Sequence, residues 1–273
     1  MDRAEDVRFL RPTGDRPRRR FRRGVYLLPG LLTLGNMFCG YACIVYAMRG
    51  EFGTAAPFIG FAVVLDMLDG RIARMTGTAS AFGVEFDSLA DVISFGIAPA
   101  ILSCAWGLQP LGRLGWAAGF VFLSAAAMRL ARFNIQTGTG GDKRYFVGMP
   151  SPAAAGVSAA TVFAYPWGLY DYRAALPALA MVLVPAVLMV STVRFRSFKT
   201  IDLRRRRPYT VLMLIAGGIT LIATYPRFVL VALAYSYLAS AFVGMAVTRF
   251  RQRGGHIPAE EATPSQEDLT REA

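Results

Sequence analysis

Between residues 26 and 247 the chain is a succession of apolar stretches separated by short polar links, and most of the stretches are long enough to cross a lipid bilayer. A crossing helix needs roughly 20 predominantly apolar residues, and its backbone polar groups must be satisfied within the segment. Repeated stretches of this length therefore demand a helical bundle. The expected spans are 26–48, 54–75, 81–106, 114–134, 151–169, 175–193, 209–223 and 226–247, with the seventh ended early by Tyr225 and Pro226. The 273 residues are 54% hydrophobic yet carry a formal net charge of +12, so apolar and basic residues must be segregated along the chain. The fold class this predicts is an all-α polytopic membrane protein of about eight transmembrane helices.

Lys and Arg favour cytoplasmic loops. With the N-terminus inside, only Arg49, Arg113, Arg173 and Arg227 of the 30 basic residues fall in outer loops. The runs RPRRRFRR (16–23) and RFRSFKTIDLRRRR (194–207) then lie inside, as do both termini. Their juxtamembrane position makes anionic lipid headgroups, rather than nucleic acid, the expected counter-ions. A cleaved signal peptide is not expected, because the first apolar stretch is too long and no small-residue cleavage site follows it. Cys39, Cys43 and Cys104 sit in apolar spans without partners at metal spacing, and the single histidine, His256, lies in the polar tail. Zinc sites and histidine-based nucleophilic catalysis are thereby disfavoured. The expected organisation is a basic N-terminal segment (1–25), a membrane core (26–200), a C-terminal transmembrane hairpin (201–248) and a disordered polar tail (249–273).

All acidic residues assigned to a span, Asp66, Asp69, Glu85, Asp87 and Asp91, fall within residues 66–91. An ionised carboxylate in a bilayer costs about 2.5–3.5 kcal/mol on insertion scales, so such a group implies compensation by cations or water. Asp66 and Asp69 are three residues apart and Asp87 and Asp91 four apart, so each pair shares a helix face. Gly83, Asp87 and Asp91 form one stripe, and Gly70 and Ala73 leave room beside the first pair. The short link MTGTASAF (75–82) makes the two helices antiparallel neighbours, which allows the four aspartates to converge. Oxygen ligands without His or Cys favour hard cations such as Mg²⁺, Mn²⁺ or Ca²⁺, and four negative charges would balance two of them. Two such ions suit phosphoryl displacement, with Arg74 as a phosphate contact. Salt bridges from these aspartates to Arg71 and Arg74 are the alternative, but they would leave two or more carboxylates unpaired. The segments MRLARFN (128–134) and KRYFVGMPSP (143–152) bring basic residues, an amide and turns to the same membrane face.

The spacing Asp66, Asp69-Gly70, Ala73-Arg74, Gly83, Asp87, Asp91 resembles the signature of the CDP-alcohol phosphatidyltransferase family at every fixed position. The stretches YLLPGLLTLGNMFCG (26–40), EFDSLADVISFGIAPA (85–100), RLARFN (129–134) and GMPSPAAAG (148–156) resemble the bacterial branch that uses L-serine as acceptor. The resemblance covers roughly residues 25–200 and implies a six-helix core, to which the last hairpin is appended, and a homodimer. It implies transfer of a phosphatidyl group from CDP-diacylglycerol to the serine hydroxyl with release of CMP, at the cytoplasmic side of a bacterial inner membrane. It further implies that Asp66, Asp69, Asp87 and Asp91 bind divalent cations, that Asp91 accepts the proton of the alcohol, and that Gly70, Arg74 and Ser80 hold the CDP moiety. For the serine carboxylate the inner-face cations Arg129, Arg132, Lys143 and Arg144 are the available partners, and Asn134 could orient the ammonium or hydroxyl. The competing expectations are another acceptor (glycerol 3-phosphate, an inositol phosphate or choline) and, from a different class, a cation transporter.

Overall fold

Every expected apolar stretch is helical in the computed structural model, which describes residues 23–77, 80–138, 146–191, 194–195 and 208–254. The helices are α1 (Arg23–Met48), α2 (Phe52–Thr76), α3 (Ala81–Leu111), α4 (Arg113–Gly138), α5 (Ser151–Ala164), α6 (Tyr172–Val190), α7 (Pro208–Thr224) and α8 (Pro226–Gly254). A two-residue antiparallel ladder pairs Phe146 with Phe195 and Val147 with Arg194, joining the loops that follow α4 and α6. Lys143, Arg144, His256, most of both basic runs and the part of the tail after Gly254 lie outside the described residues.

Eight helices are present among the described residues, but they are not equally suited to crossing a membrane. Among the described residues, α1, α2, α3, α4 and α6 are long and apolar enough to cross a membrane. The expected span 151–169 instead holds a helix of 14 residues, about 21 Å long against a hydrocarbon layer of about 30 Å. It stops because Tyr165 precedes Pro166, and a residue before proline is driven out of the helical region. The expected hairpin is a helix pair bent by 117° at Tyr225, which together counts as at most a sixth span. Pro226 supplies the break, since proline suits the first turn of a new helix and cannot continue an old one.

Small residues set how closely the helices approach. Cys39, Cys43 and Ala47 of α1 and Ala55, Ala56, Ile59 and Ala62 of α2 are buried in one core, and α1 and α2 form the most extensive helix pair. Lipid tails supply no hydrophobic drive between helices, so close backbone contact through small side chains does the work. Gly40 shows it: a Cβ there would lie 2.6 Å from Ser94 Oγ and 2.8 Å from Ser94 Cα. At this crossing Ser94 Oγ donates to the Asn36 carbonyl at 2.9 Å. α3 has two π-helical turns, Ile93–Ile97 and Cys104–Leu108, the first starting two residues past Asp91. Its far end is fixed to α5 by Trp106 Nε1 donating to the Tyr165 carbonyl at 2.7 Å.

Candidate metal centre

The link between α2 and α3 builds the site. Gly77, at φ +64, closes α2 by donating its N–H to the Ala73 carbonyl. Ser80 then starts α3 as its N-cap, with Oγ accepting from the Gly83 N–H at 3.0 Å. The two helices so joined bring the carboxylates together: one oxygen each from Asp66, Asp69 and Asp87 lie within 4.8 Å of one another. Asp91 stands one turn further along α3, near enough to interact electrostatically with Asp66. Glu85, the fifth acidic residue of the window, is exposed and does not join the group.

α1 supplies the donors. Thr33 Oγ1 lies 3.0 Å from Asp69 Oδ2 and 3.1 Å from the Pro29 carbonyl, while Asn36 Nδ2 donates to Asp91 Oδ1 at 3.4 Å. Thr33, Asn36 and Asp69 are all buried. Neither Thr33 nor Asn36 was assigned a role from the sequence, although two polar residues three apart in an apolar span mark one helix face. Hydrogen bonds to metal-binding groups typically tune metal affinity 10–100-fold. Thr33→Val is accordingly expected to raise the divalent-cation concentration needed for half-maximal activity by about tenfold, as read from a cation titration of membranes.

The residues fit a hard divalent cation. The donor set is carboxylate oxygen alone, three oxygens converge, and Asp87 Oδ1 is buried with no hydrogen-bond partner. Crowded negative charge in a membrane helix pair demands a counter-charge. Arg71 and Arg74 do not provide it: both are exposed, and among the described residues no ion pair joins them to the aspartates. The interhelical salt bridges considered from the sequence are thus absent from the described structure. A Cβ on Gly70 would meet only Arg74 Nη2, at 4.0 Å, so Gly70 leaves open space on the side of the Arg74 guanidinium. Ser80 keeps its hydroxyl hydrogen available after capping α3, whereas Gly83 is explained locally, since a Cβ there would sit 3.1 Å from Ser80 Oγ.

The expected acceptor residues separate. Arg129 of α4 donates to Ser151 Oγ at 2.7 Å and lies within electrostatic range of Asp66 and Asp91. Arg132 donates to the Val190 carbonyl at 3.3 Å, and Asn134 Nδ2 donates to Ser88 Oγ at 2.9 Å. Ser88 follows Asp87, so Asn134 bridges α4 to the metal-site helix. Lys143 lies outside the described residues. Ser151 and Ser88 escaped the sequence reading, because a serine that partners a distant helix carries no local signal.

The sequence matches known proteins over the segment that holds this site. A family model described as CDP-alcohol phosphatidyltransferase matches residues 26–193. A CDP-diacylglycerol–serine O-phosphatidyltransferase of Helicobacter pylori (strain ATCC 700392 / 26695) is 40% identical over 178 residues, which cover 65% of this chain and 75% of that protein. The protein of the same name from Mycobacterium leprae is 39% identical over 144 residues, covering 51% and 48% of the two chains. An archaetidylserine synthase of Methanothermobacter thermautotrophicus is 37% identical over 172 residues, covering 62% and 69%.

Proposed function

The chain belongs to the CDP-alcohol phosphatidyltransferase family, and from that premise we propose that it transfers a phosphatidyl group from CDP-diacylglycerol to the hydroxyl of L-serine, releasing CMP. The observation that carries the reading is the convergence of Asp66, Asp69 and Asp87 oxygens within 4.8 Å, with Asp91 beside them on α3. Serine as acceptor is supported by the names of the similar proteins, which agree on serine although one makes an archaetidyl lipid.

In this mechanism the serine hydroxyl oxygen attacks the phosphorus that bears diacylglycerol. The bond from that phosphorus to the CMP oxygen breaks, and the hydroxyl proton passes to Asp91. Divalent cations bound by Asp66, Asp69, Asp87 and Asp91 would supply neutralisation of the diphosphate and of the charge growing on the departing oxygen. Asn36 holds one Asp91 oxygen, which aims the other for the proton. Arg129, fixed by Ser151, meets the serine carboxylate. Gly70 leaves room for the diphosphate, and Arg74 and Ser80 contact the CMP portion. Arg132, Asn134 and Lys143 are assigned to the rim of the acceptor site.

Several apolar helices make this an integral membrane protein. We place it in a bacterial inner membrane as a homodimer, with both termini and the aspartate cluster on the cytoplasmic side. The core at 26–200 carries the chemistry, flanked by the basic segment 1–25, the helices of 201–248 and the tail 249–273. Incubating membranes with CDP-diacylglycerol and serine tests the reading. CMP release should require serine and disappear with a chelator, returning on addition of Mg²⁺ or Mn²⁺. Release driven instead by glycerol 3-phosphate, an inositol phosphate or choline would replace the acceptor. Ion flux without nucleotide would replace the activity class.

A further inference from the structure

Among the described residues, four buried side-chain atoms have no hydrogen-bond partner: Asn36 Oδ1, Asp87 Oδ1, Ser103 Oγ and Ser158 Oγ. Ser103 lies roughly three turns beyond Asp91 on α3, and Ser158 roughly two turns into α5. The other two belong to the metal centre. Asp87 Oδ1 has its natural partner in a cation, whereas Asn36 Oδ1 is left over. Asn36 is wholly buried, and its other polar groups are engaged: Nδ2 donates to Asp91 Oδ1 at 3.4 Å, and the backbone carbonyl accepts from Ser94 Oγ at 2.9 Å. One half of the amide is thus held at Asp91 while the other half, an acceptor, is unused. A buried acceptor without a donor is costly, and a donor that arrives with a ligand removes the cost. The two polar side chains of this α1 face divide the site between them. Thr33 bonds Asp69 of the convergent triad, and Asn36 bonds Asp91, the residue placed at the acceptor hydroxyl. The open oxygen is therefore on the acceptor side of the site.

We propose that Asn36 Oδ1 accepts an N–H of the acceptor's ammonium group, which makes Asn36 a specificity-determining residue. This rests on the serine reading above. In L-serine two carbons separate the amino nitrogen from the hydroxyl oxygen, so an amide bonded to Asp91 can meet the ammonium while Asp91 meets the hydroxyl. The donor enters alongside Asp91, which is half-buried rather than enclosed. With its carboxylate on Arg129, each polar group of serine then has a partner of its own. The ammonium bond is charge-assisted and so stronger than a neutral one. Choline has no N–H to give, and glycerol 3-phosphate or an inositol phosphate offers only neutral hydroxyls at this place.

The test uses the full-length protein in membranes, with CMP release measured over titrations of L-serine and of 3-hydroxypropionate, the same acceptor without its amino group. CDP-diacylglycerol and Mg²⁺ are kept saturating. The parent should favour serine in kcat/KM by at least about tenfold, the scale of one hydrogen bond to a charged group. Asn36→Leu removes the oxygen and should abolish that advantage, whatever it does to the turnover common to both acceptors through Asp91. Asn36→Asp keeps an acceptor oxygen and should keep the advantage. Asn36→Ala removes the oxygen without adding bulk and decides the same ratio if Asn36→Leu gives no turnover. A role confined to holding Asp91 lowers both acceptors alike and leaves their ratio in place. The proposal is overturned if the parent does not distinguish the two acceptors, if the ratio survives loss of the oxygen, or if Asn36→Asp loses it equally. A cation titration displaced in Asn36→Leu with the ratio unmoved assigns the oxygen to a cation and also overturns it. Serine-dependent release with an unmoved ratio sinks this inference alone. Serine inertness, with release driven by choline or glycerol 3-phosphate, sinks it together with the serine reading.

Discussion

Asp91→Asn lowers kcat for serine-dependent CMP release by about 10²–10⁴-fold, the range over which positioned general bases contribute. The geometry makes the substitution selective. An amide at this position still offers an oxygen to Asn36 Nδ2, so the α1–α3 contact that orients the side chain survives. What the amide cannot do is take the hydroxyl proton. Asp91 also belongs to the proposed cation-binding set, so the substitution should weaken cation affinity as well as turnover. Single-turnover measurements at saturating cation and CDP-diacylglycerol separate the two effects. Unimpaired turnover would remove the proton-accepting role from Asp91.

Asp87→Asn should be at least as damaging, through a different quantity. Asp87 contributes to the convergent triad, and its Oδ1 is buried without a hydrogen-bond partner. Exchanging it for an amide removes a charge where cations are to bind. Cation-derived stabilisation of several kcal/mol corresponds to about three orders of magnitude in rate. The expected signature is a cation titration displaced to higher concentration together with this loss of rate. Glu85→Gln, on the same helix but exposed and outside the group, should leave both unchanged. Equal effects at 85 and 87 would show that helix charge, rather than ligation, matters.

Much of this arrangement could be read from the chain. Long apolar runs locate helices well, and every predicted stretch overlaps a helix, most with ends only a few residues away. The aspartates stood out because charges inside apolar runs are costly and because their spacing puts them on shared faces. The failures have local and long-range causes. Hydropathy continued past Ala164 although the peptide geometry before Pro166 stops α5, so composition overestimated that span. The π-helical turn just after Asp91 holds Ser94, which Gly40 of α1 approaches closely, and no one-helix pattern encodes that meeting. Thr33, Asn36, Ser88 and Ser151 were legible as polar residues in apolar surroundings, but their partners lie 22 to 55 residues away in sequence.

The donors on α1 also bear on how the protein is assembled. Synthesis proceeds from the N-terminus, so α1 reaches the bilayer before the helices that carry the carboxylates. When α2 and α3 follow, each aspartate brings a penalty of about 2.5–3.5 kcal/mol into the hydrocarbon. The hydroxyl of Thr33 and the amide of Asn36 are by then in place to receive Asp69 and Asp91. The order of insertion therefore matches the order of need, and a permuted chain that emitted α2 and α3 first would expose that penalty to the translocation machinery unrelieved.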